Sequence, residues 1–182
     1  MNEEHEMEEL QEAAEQGREQ SKLAPVSFTM AILAVLVAVA SLLGHRAHTE
    51  EILKQDKATD TWSYYQAKNI RRNTMEQVDE LLKVVPLKDA AAAEALLKKN
   101  EATIEKQKGD QDKIQEEAKA LEAEVALNTR RANRYDLGET LLEVGLVVCS
   151  ITLLTRRRHY WLAGIVFGVA GAAVTVMGLL LH

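Results

Sequence analysis

Charged and apolar residues are segregated along this chain of 182 residues. No Asp, Glu, Lys or Arg occurs within residues 23–44 or within residues 160–181, and each of these runs holds 22 residues. About 20 apolar residues, at about 1.5 Å of helical rise each, cross a hydrocarbon layer about 30 Å thick. The pattern therefore predicts an integral membrane protein.

A third apolar run precedes the last one. It covers residues 137–155 and is less obvious because Glu139 and Glu143 fall in its first two turns. A basic turn at residues 156–159, Arg-Arg-Arg-His, joins it to the run 160–181. With the first run, these segments predict three transmembrane helices.

The stretch between the first two spans, residues 45–136, is rich in Glu, Lys, Gln, Ala and Leu, which favour helices. Its only proline and its only glycine are Pro86 and Gly109. A turn at Gly109 would leave two arms of very unequal length, so we expect the tip near residues 86–89. The predicted fold class is all-α: a membrane protein with three transmembrane helices and a long antiparallel coiled-coil hairpin.

The second arm of this hairpin carries a repeat that is typical of coiled coils. Apolar or small polar residues recur at alternating intervals of three and four, and no charged residue occupies the repeat. The repeat consists of Ala90, Ala93, Leu97, Asn100, Ile104, Gln107, Gln111, Ile114, Ala118, Leu121, Val125, Asn128, Ala132 and Tyr135.

The first arm has a less regular apolar stripe, which we expect to pack against the second arm. Pairing by distance from the membrane sets Trp62 opposite Ala118, a large residue facing a small one, and Tyr65 shares the face of Trp62. The stripe consists of Ala67, Ile70, Thr74, Val78, Leu81 and Val85.

Charge is concentrated at the start of the chain. The formal net charge of the protein is -6, and residues 1–22 alone contain eight Glu against Arg18 and Lys22. We interpret this segment as an acidic, flexible tail that is a candidate site for a protein partner. The rest of the chain is nearly neutral, which argues against nucleic acid as a partner.

The last span carries a stripe of small residues. Such stripes let helix backbones approach closely in lipid. The stripe holds together either the last two spans, which we favour, or neighbouring subunits. It consists of Gly164, Gly168, Gly171, Thr175 and Gly178, and the preceding span offers Gly138, Gly145, Cys149 and Thr152.

Few residues suggest chemistry. The sequence shows no nucleophile with a base, no phosphate-binding loop and no dinucleotide turn, so we expect neither an enzyme nor a cofactor. The single cysteine, Cys149, excludes an intrachain disulfide. His45, His48 and Glu51 have a spacing that suits metal ligands, but interfacial polar residues are the better interpretation, and we expect no metal.

Glu143 is a possible intramembrane acid. In an oligomer it would line a cation or proton path, whereas in a short helix it would reach the membrane interface. The short basic turn 156–159 predicts that this turn and the tail are cytoplasmic and that the hairpin is periplasmic. Basic residues also flank the long hairpin, where this rule weakens.

The segment Trp62-Ser-Tyr-Tyr-Gln-Ala-Lys68 adds a resemblance. With the polar tail, the hairpin and the arginine turn before the last span, it resembles a bacterial family of three-span inner-membrane proteins that is catalogued only as a domain of unknown function. The resemblance implies a bacterial inner membrane and no particular activity.

We therefore expect a non-enzymatic scaffold or stalk that binds membrane lipid and forms a homo-oligomer. The alternative is an oligomeric cation or proton channel, or a transport-accessory subunit, that uses Glu143. The expected oligomer or helix interfaces comprise Trp62, Tyr65, Ala118, Leu121, Gly164, Gly168, Gly171 and Gly178.

Overall fold

The computed structural model describes the backbone of residues 2–85 and 89–181, with the side chains of residues 23–85 and 89–181. Within these ranges the chain forms three α-helices and no strand. Helix α1 is Asn2–Val84, α2 is Ala90–Thr155 and α3 is Arg158–Leu179. Most of the expected tip near residues 86–89, and the side chains of the acidic segment 1–22, lie outside the described residues.

The three helices are long and apolar enough to cross a membrane. Their most apolar windows are largely exposed on the protein surface, and Phe28, Val35, Leu154 and Val166 are examples of exposed side chains there. Helices that are apolar around most of their circumference suit a lipid surrounding.

The chain divides into two compact units. Unit 1 combines Met1–His48 with Thr129–His182, and unit 2 is Thr49–Asn128. Each unit contains a part of α1 and a part of α2, and unit 1 also contains α3.

Unit 1 has two small buried clusters of apolar residues. Leu33 and Ala40 of α1 meet Leu142 and Cys149 of α2 in one cluster, and the half-buried Trp161 of α3 packs against them. The second cluster joins Ala47 of α1 to Ala132 and Tyr135 of α2.

Helices α2 and α3 approach closely in unit 1 because glycines face each other. A Cβ atom added at Gly145 would lie 2.9 Å from the carbonyl oxygen of Gly164 and 3.0 Å from the backbone nitrogen of Gly168. A Cβ atom at Gly171 would lie 2.7 Å from the carbonyl oxygen of Gly138. Only residues without a side chain allow this separation.

The connection from α2 to α3 is shorter than the predicted basic turn. Arg156 has a φ of 55°, in the left-handed region, and Arg157 is extended, so α3 begins at Arg158. At the other end of α3, the Arg131 side chain donates two hydrogen bonds, of 2.9 and 2.6 Å, to the carbonyl oxygen of Leu181. A cation at this position complements the helix dipole.

In unit 2, α1 and α2 contact each other in antiparallel order. Residue numbers rise along α1 through Lys54, Trp62, Lys68, Arg72 and Asp79, while those of their partners fall along α2 except for a rise of one residue between the partners of Lys68 and Arg72. The partners are Glu124, Glu122, Asp110, Gln111 and Asn100.

Candidate functional site

Two faces of unit 2 differ in chemistry: one lies between α1 and α2, and the other is exposed on α1. We call the α1–α2 contact face the seam. Along α2 the positions of the predicted repeat are buried or half-buried, apart from the exposed Ala90. Ala118 and Leu121 are both buried there, and Ala118 has an exposed fraction of 0%.

The predicted stripe on the first arm does not lie in the seam. We call its six residues, Ala67, Ile70, Thr74, Val78, Leu81 and Val85, the outer stripe. All six are exposed, with Ile70 at 66% and Leu81 at 63%. The prediction that this stripe packs against the second arm is therefore wrong.

Polar residues take the place of that stripe in the seam. On α1 the buried and half-buried positions include Ala58, Tyr65, Lys68, Arg72 and Asp79, which recur at intervals of seven, three, four and seven. The side chains of Lys68, Arg72 and Asp79 reach across to partners on α2, which reduces the penalty of burying them. Arg72 Nε and Gln111 Nε2 are buried there without a hydrogen bond to any described residue.

The aromatic segment contributes to the seam at one end. The Trp62 and Tyr65 rings stand edge to face, with centroids 5.5 Å apart and planes at 83°. The indole nitrogen of Trp62 donates a hydrogen bond of 2.8 Å to a carboxylate oxygen of Glu122. The rings thus combine apolar contact with one directional bond to α2.

Lys68 follows the aromatic pair. Its ammonium nitrogen lies 2.8 Å from the Asp110 carboxylate and 5.2 Å from the centroid of the Tyr64 ring. The hydrogen bond between Lys68 and Asp110 lowers the pKa of the Asp110 carboxyl and raises the pKa of the Lys68 amine.

Farther along α1, two more polar pairs cross the seam. The guanidinium of Arg72 donates to the side-chain oxygen of Gln111 at 2.5 Å and to that of Asn69 at 2.8 Å. The side-chain amide of Asn100 donates to the Asp79 carboxylate at 2.6 Å. Directional pairs of this kind fix the register of two helices.

The remaining predicted residues lie in unit 1. Gly164, Gly168, Gly171 and Gly178 are buried, and they face α1 or α2 of the same chain. Glu143 is exposed on α2.

The histidines proposed as metal ligands make other contacts. His48 Nε2 lies 3.0 Å from the Asp136 carboxylate. Among the described residues, no group of three or more His, Cys, Asp and Glu side chains is placed to hold a metal ion.

Acidification tests the ion pairs of unit 2. Hydrogen bonds from Lys68 and Lys54 lower the pKa values of Asp110 and Glu124. Such carboxyls stabilise the folded state above their unfolded pKa values, about 4, and that contribution is lost as the pH falls through the lower folded values. We therefore expect Trp62 fluorescence, measured with Trp161→Phe in every protein compared, to report loosening of unit 2 below about pH 4.

The control for that titration is the double variant Asp110→Asn with Glu124→Gln, measured with the wild type over the same pH range. Its unfolding should depend less on pH than that of the wild type. An equal pH dependence in both proteins would show that these pairs do not contribute. The raised pKa of Lys68 adds stability that is lost only at alkaline pH.

Comparisons with known proteins give a family and no activity. A family model described as Domain of unknown function (DUF4337) matches residues 22–181 of the chain. No curated protein and no solved structure matches it.

Proposed function

We propose a function from the geometry, since the chain belongs to the DUF4337 family and the description of that family, a domain of unknown function, assigns no activity. The proposal is a non-enzymatic membrane scaffold. Copies of the chain associate through the outer stripe of α1, and the two helices of unit 2 form an antiparallel coiled-coil hairpin that presents this stripe.

The exposed outer stripe is the observation that carries the proposal. Ile70, Val78 and Leu81 of α1, together with Val85 directly after its end, are large apolar side chains, and each is exposed. Soluble surfaces seldom leave a continuous apolar stripe uncovered, and such stripes are typical of contacts between proteins. Apolar residues at intervals of three and four fit a second helix with the same spacing.

The composition of the seam supports the same conclusion. Two helices bury little apolar surface between them, and here Lys68, Arg72 and Asp79 occupy part of that surface. Polar seams specify register while adding little stability. A second copy that covers the outer stripe would supply the apolar burial that the seam lacks.

The setting of this scaffold is also a proposal. The arginine turn between α2 and α3 favours a cytoplasmic position for that turn. The resemblance to bacterial proteins supports a location in the inner membrane, and a cytoplasmic turn would assign unit 2 to the periplasm. Glu143 is exposed on α2, so it lines no path within one chain, and the channel alternative would need neighbouring copies to enclose it.

The particle mass of the detergent-solubilised protein tests the oligomer. We expect the wild type to be a multimer, and the double variant Ile70→Glu with Leu81→Glu to be smaller, because two charges in an apolar contact are costly to bury. Mass photometry or sedimentation measures both.

A matched control carries the same two added charges on the same helix. Gln55 and Gln66 are exposed polar residues of α1 that precede the outer stripe, so Gln55→Glu with Gln66→Glu should leave the mass of the wild type unchanged. A monomeric wild type, or equal masses for both double variants, would contradict association through the outer stripe.

A further inference from the structure

Unit 1 contains a cavity of about 330 Å³ beside the connection between α2 and α3. Leu23 and Val26 of α1 and Trp161 of α3 give it apolar walls. Arg156 and Arg158 add two guanidinium groups to the same lining. The cavity therefore joins an apolar surface to a strongly basic one, at the end of an apolar three-helix unit.

A buried hydroxyl group that also lines this cavity points to a ligand. Thr152 has an exposed fraction of 2%, and its Oγ1 makes no hydrogen bond with any described residue. Thr140 and Thr175 in the same unit instead donate to the carbonyl oxygen four residues before them. A buried hydroxyl without a partner is unfavourable, so Thr152 suits a ligand that brings an acceptor.

The backbone around the two arginines is consistent with a site for an anion. Arg156 adopts a left-handed φ of 55°, a conformation that residues other than glycine seldom take. Arg158 is the first residue of α3, and the N-cap residue Arg157 makes no side-chain capping hydrogen bond. The positive end of a helix dipole disfavours a cation and favours an anion, so an anion bound at Arg158 would be favourable there.

The basic and apolar parts of the cavity lining are together complementary to an anionic phospholipid. Arginine guanidinium groups form charge-assisted bonds with phosphate oxygens, and basic pockets between membrane helices accept anionic headgroups. A free phosphate would use the arginines and leave the apolar walls of Leu23, Val26 and Trp161 uncovered. A lipid uses both.

We propose that this cavity binds one anionic phospholipid. Its phosphate lies at Arg156 and Arg158, the Thr152 hydroxyl donates to a phosphate or ester oxygen, and the start of an acyl chain contacts Val26 and Trp161. The indole nitrogen of Trp161 already donates to Thr29 Oγ1 at 3.1 Å, which positions the ring as a wall of the cavity.

Lipid binding to the full chain in a zwitterionic detergent tests this site. We expect phosphatidylglycerol to bind and to raise the unfolding temperature, and phosphatidylcholine and inorganic phosphate to do so much more weakly. Arg158→Gln should weaken phosphatidylglycerol binding about tenfold, the size of effect expected for losing a hydrogen bond to a charged group.

Arg157→Gln is the matched control. It removes the same charge from the same connection, and Arg157 is not among the residues that line the cavity. We expect it to change the affinity by less than about twofold, because it alters only the general charge of the surface. Equal losses in Arg157→Gln and Arg158→Gln would overturn the proposal, and so would phosphate binding as tightly as the lipid.

A second variant distinguishes a role of Thr152 in lipid binding from a purely structural role. Thr152→Val keeps the shape of the side chain and removes the hydroxyl, so it should raise the unfolding temperature without lipid while weakening phosphatidylglycerol binding. A variant that binds the lipid as tightly as the wild type would exclude the proposed bond from Thr152.

Discussion

The substitution Gly145→Ala should destabilise unit 1 by about 1 to 3 kcal/mol, the usual cost of overfilling a packed contact. The added Cβ atom would meet the carbonyl oxygen of Gly164 and the backbone nitrogen of Gly168, at 2.9 and 3.0 Å. These are backbone atoms, which cannot rotate away as the end of a side chain can. Helices α2 and α3 must therefore separate.

The chain offers a direct probe of that separation. Its single cysteine, Cys149, is buried with an exposed fraction of 0% and packs beside Gly164. Labelling of the Cys149 thiol by a maleimide in a mild denaturant should be faster in Gly145→Ala than in the wild type. Labelling at the rate of the wild type would show that α2 and α3 are not closely packed at Gly145.

Gly109→Ala is the matched control, because Gly109 also lies inside α2. A Cβ atom added at Gly109 has no neighbour within 4 Å. Alanine in a helix interior is more favourable than glycine by about 0.5 to 1 kcal/mol, so this variant should stabilise unit 2. The labelling rate of Cys149 should not increase.

The substitution Ala118→Leu should destabilise unit 2 by a similar amount, about 1 to 3 kcal/mol. Ala118 is completely buried in α2. The pairs Lys68–Asp110 and Trp62–Glu122 lie on either side of it along the seam and hold α1 close to this position. Three additional carbon atoms have no space there unless the helices move apart.

Ala120→Leu controls for the leucine itself, since Ala120 lies two residues away on α2 and is exposed. Denaturant unfolding followed by the fluorescence of Trp62, in a Trp161→Phe background, measures both variants. Ala118→Leu should unfold at lower denaturant, and Ala120→Leu should unfold near the wild type. Equal midpoints for the two variants would contradict the position of Ala118 in the seam.

The two arms of unit 2 differ in how far the sequence predicts their contacts. On α2 the repeat of three and four contains no charge, and its residues are buried or half-buried except at Ala90. On α1 two stripes share that spacing, and hydrophobicity favours the apolar one. The structure uses the other stripe because Lys68, Arg72 and Asp79 each find a polar partner on α2.

Hydrophobicity alone cannot make that choice. The cost of burying a charged side chain depends on a partner that lies about 40 residues away for Lys68 and Arg72, and about 20 away for Asp79. Aligning the two helices in antiparallel order and comparing the charges across them helps to identify the stripe of α1 that lies in the seam. The predicted register, with Trp62 opposite Ala118, sets Lys68 opposite Asp112, two residues from its partner Asp110.

The sequence does not predict the cavity in unit 1, and the reason is different. Thr152 belongs to a series of small residues on α2, and nothing in the sequence separates it from Thr140 or Thr155, which hydrogen-bond within the helix. Its orphaned hydroxyl and its proximity to Arg158 depend on how α1, α2 and α3 pack. The glycine stripe predicts a helix contact, and in the structure these glycines contact α1 and α2 of the same chain.

Disulfide crosslinking between copies tests association through the outer stripe most directly. Copies that share one membrane orientation are related by an axis along the membrane normal, so identical α1 residues would lie level with each other. In a Cys149→Ser background, we compare Leu81→Cys in the outer stripe with Lys99→Cys, an exposed position on α2. We expect a covalent dimer from Leu81→Cys and little from Lys99→Cys. Absence of the Leu81→Cys dimer, or equal yields from both, would contradict it.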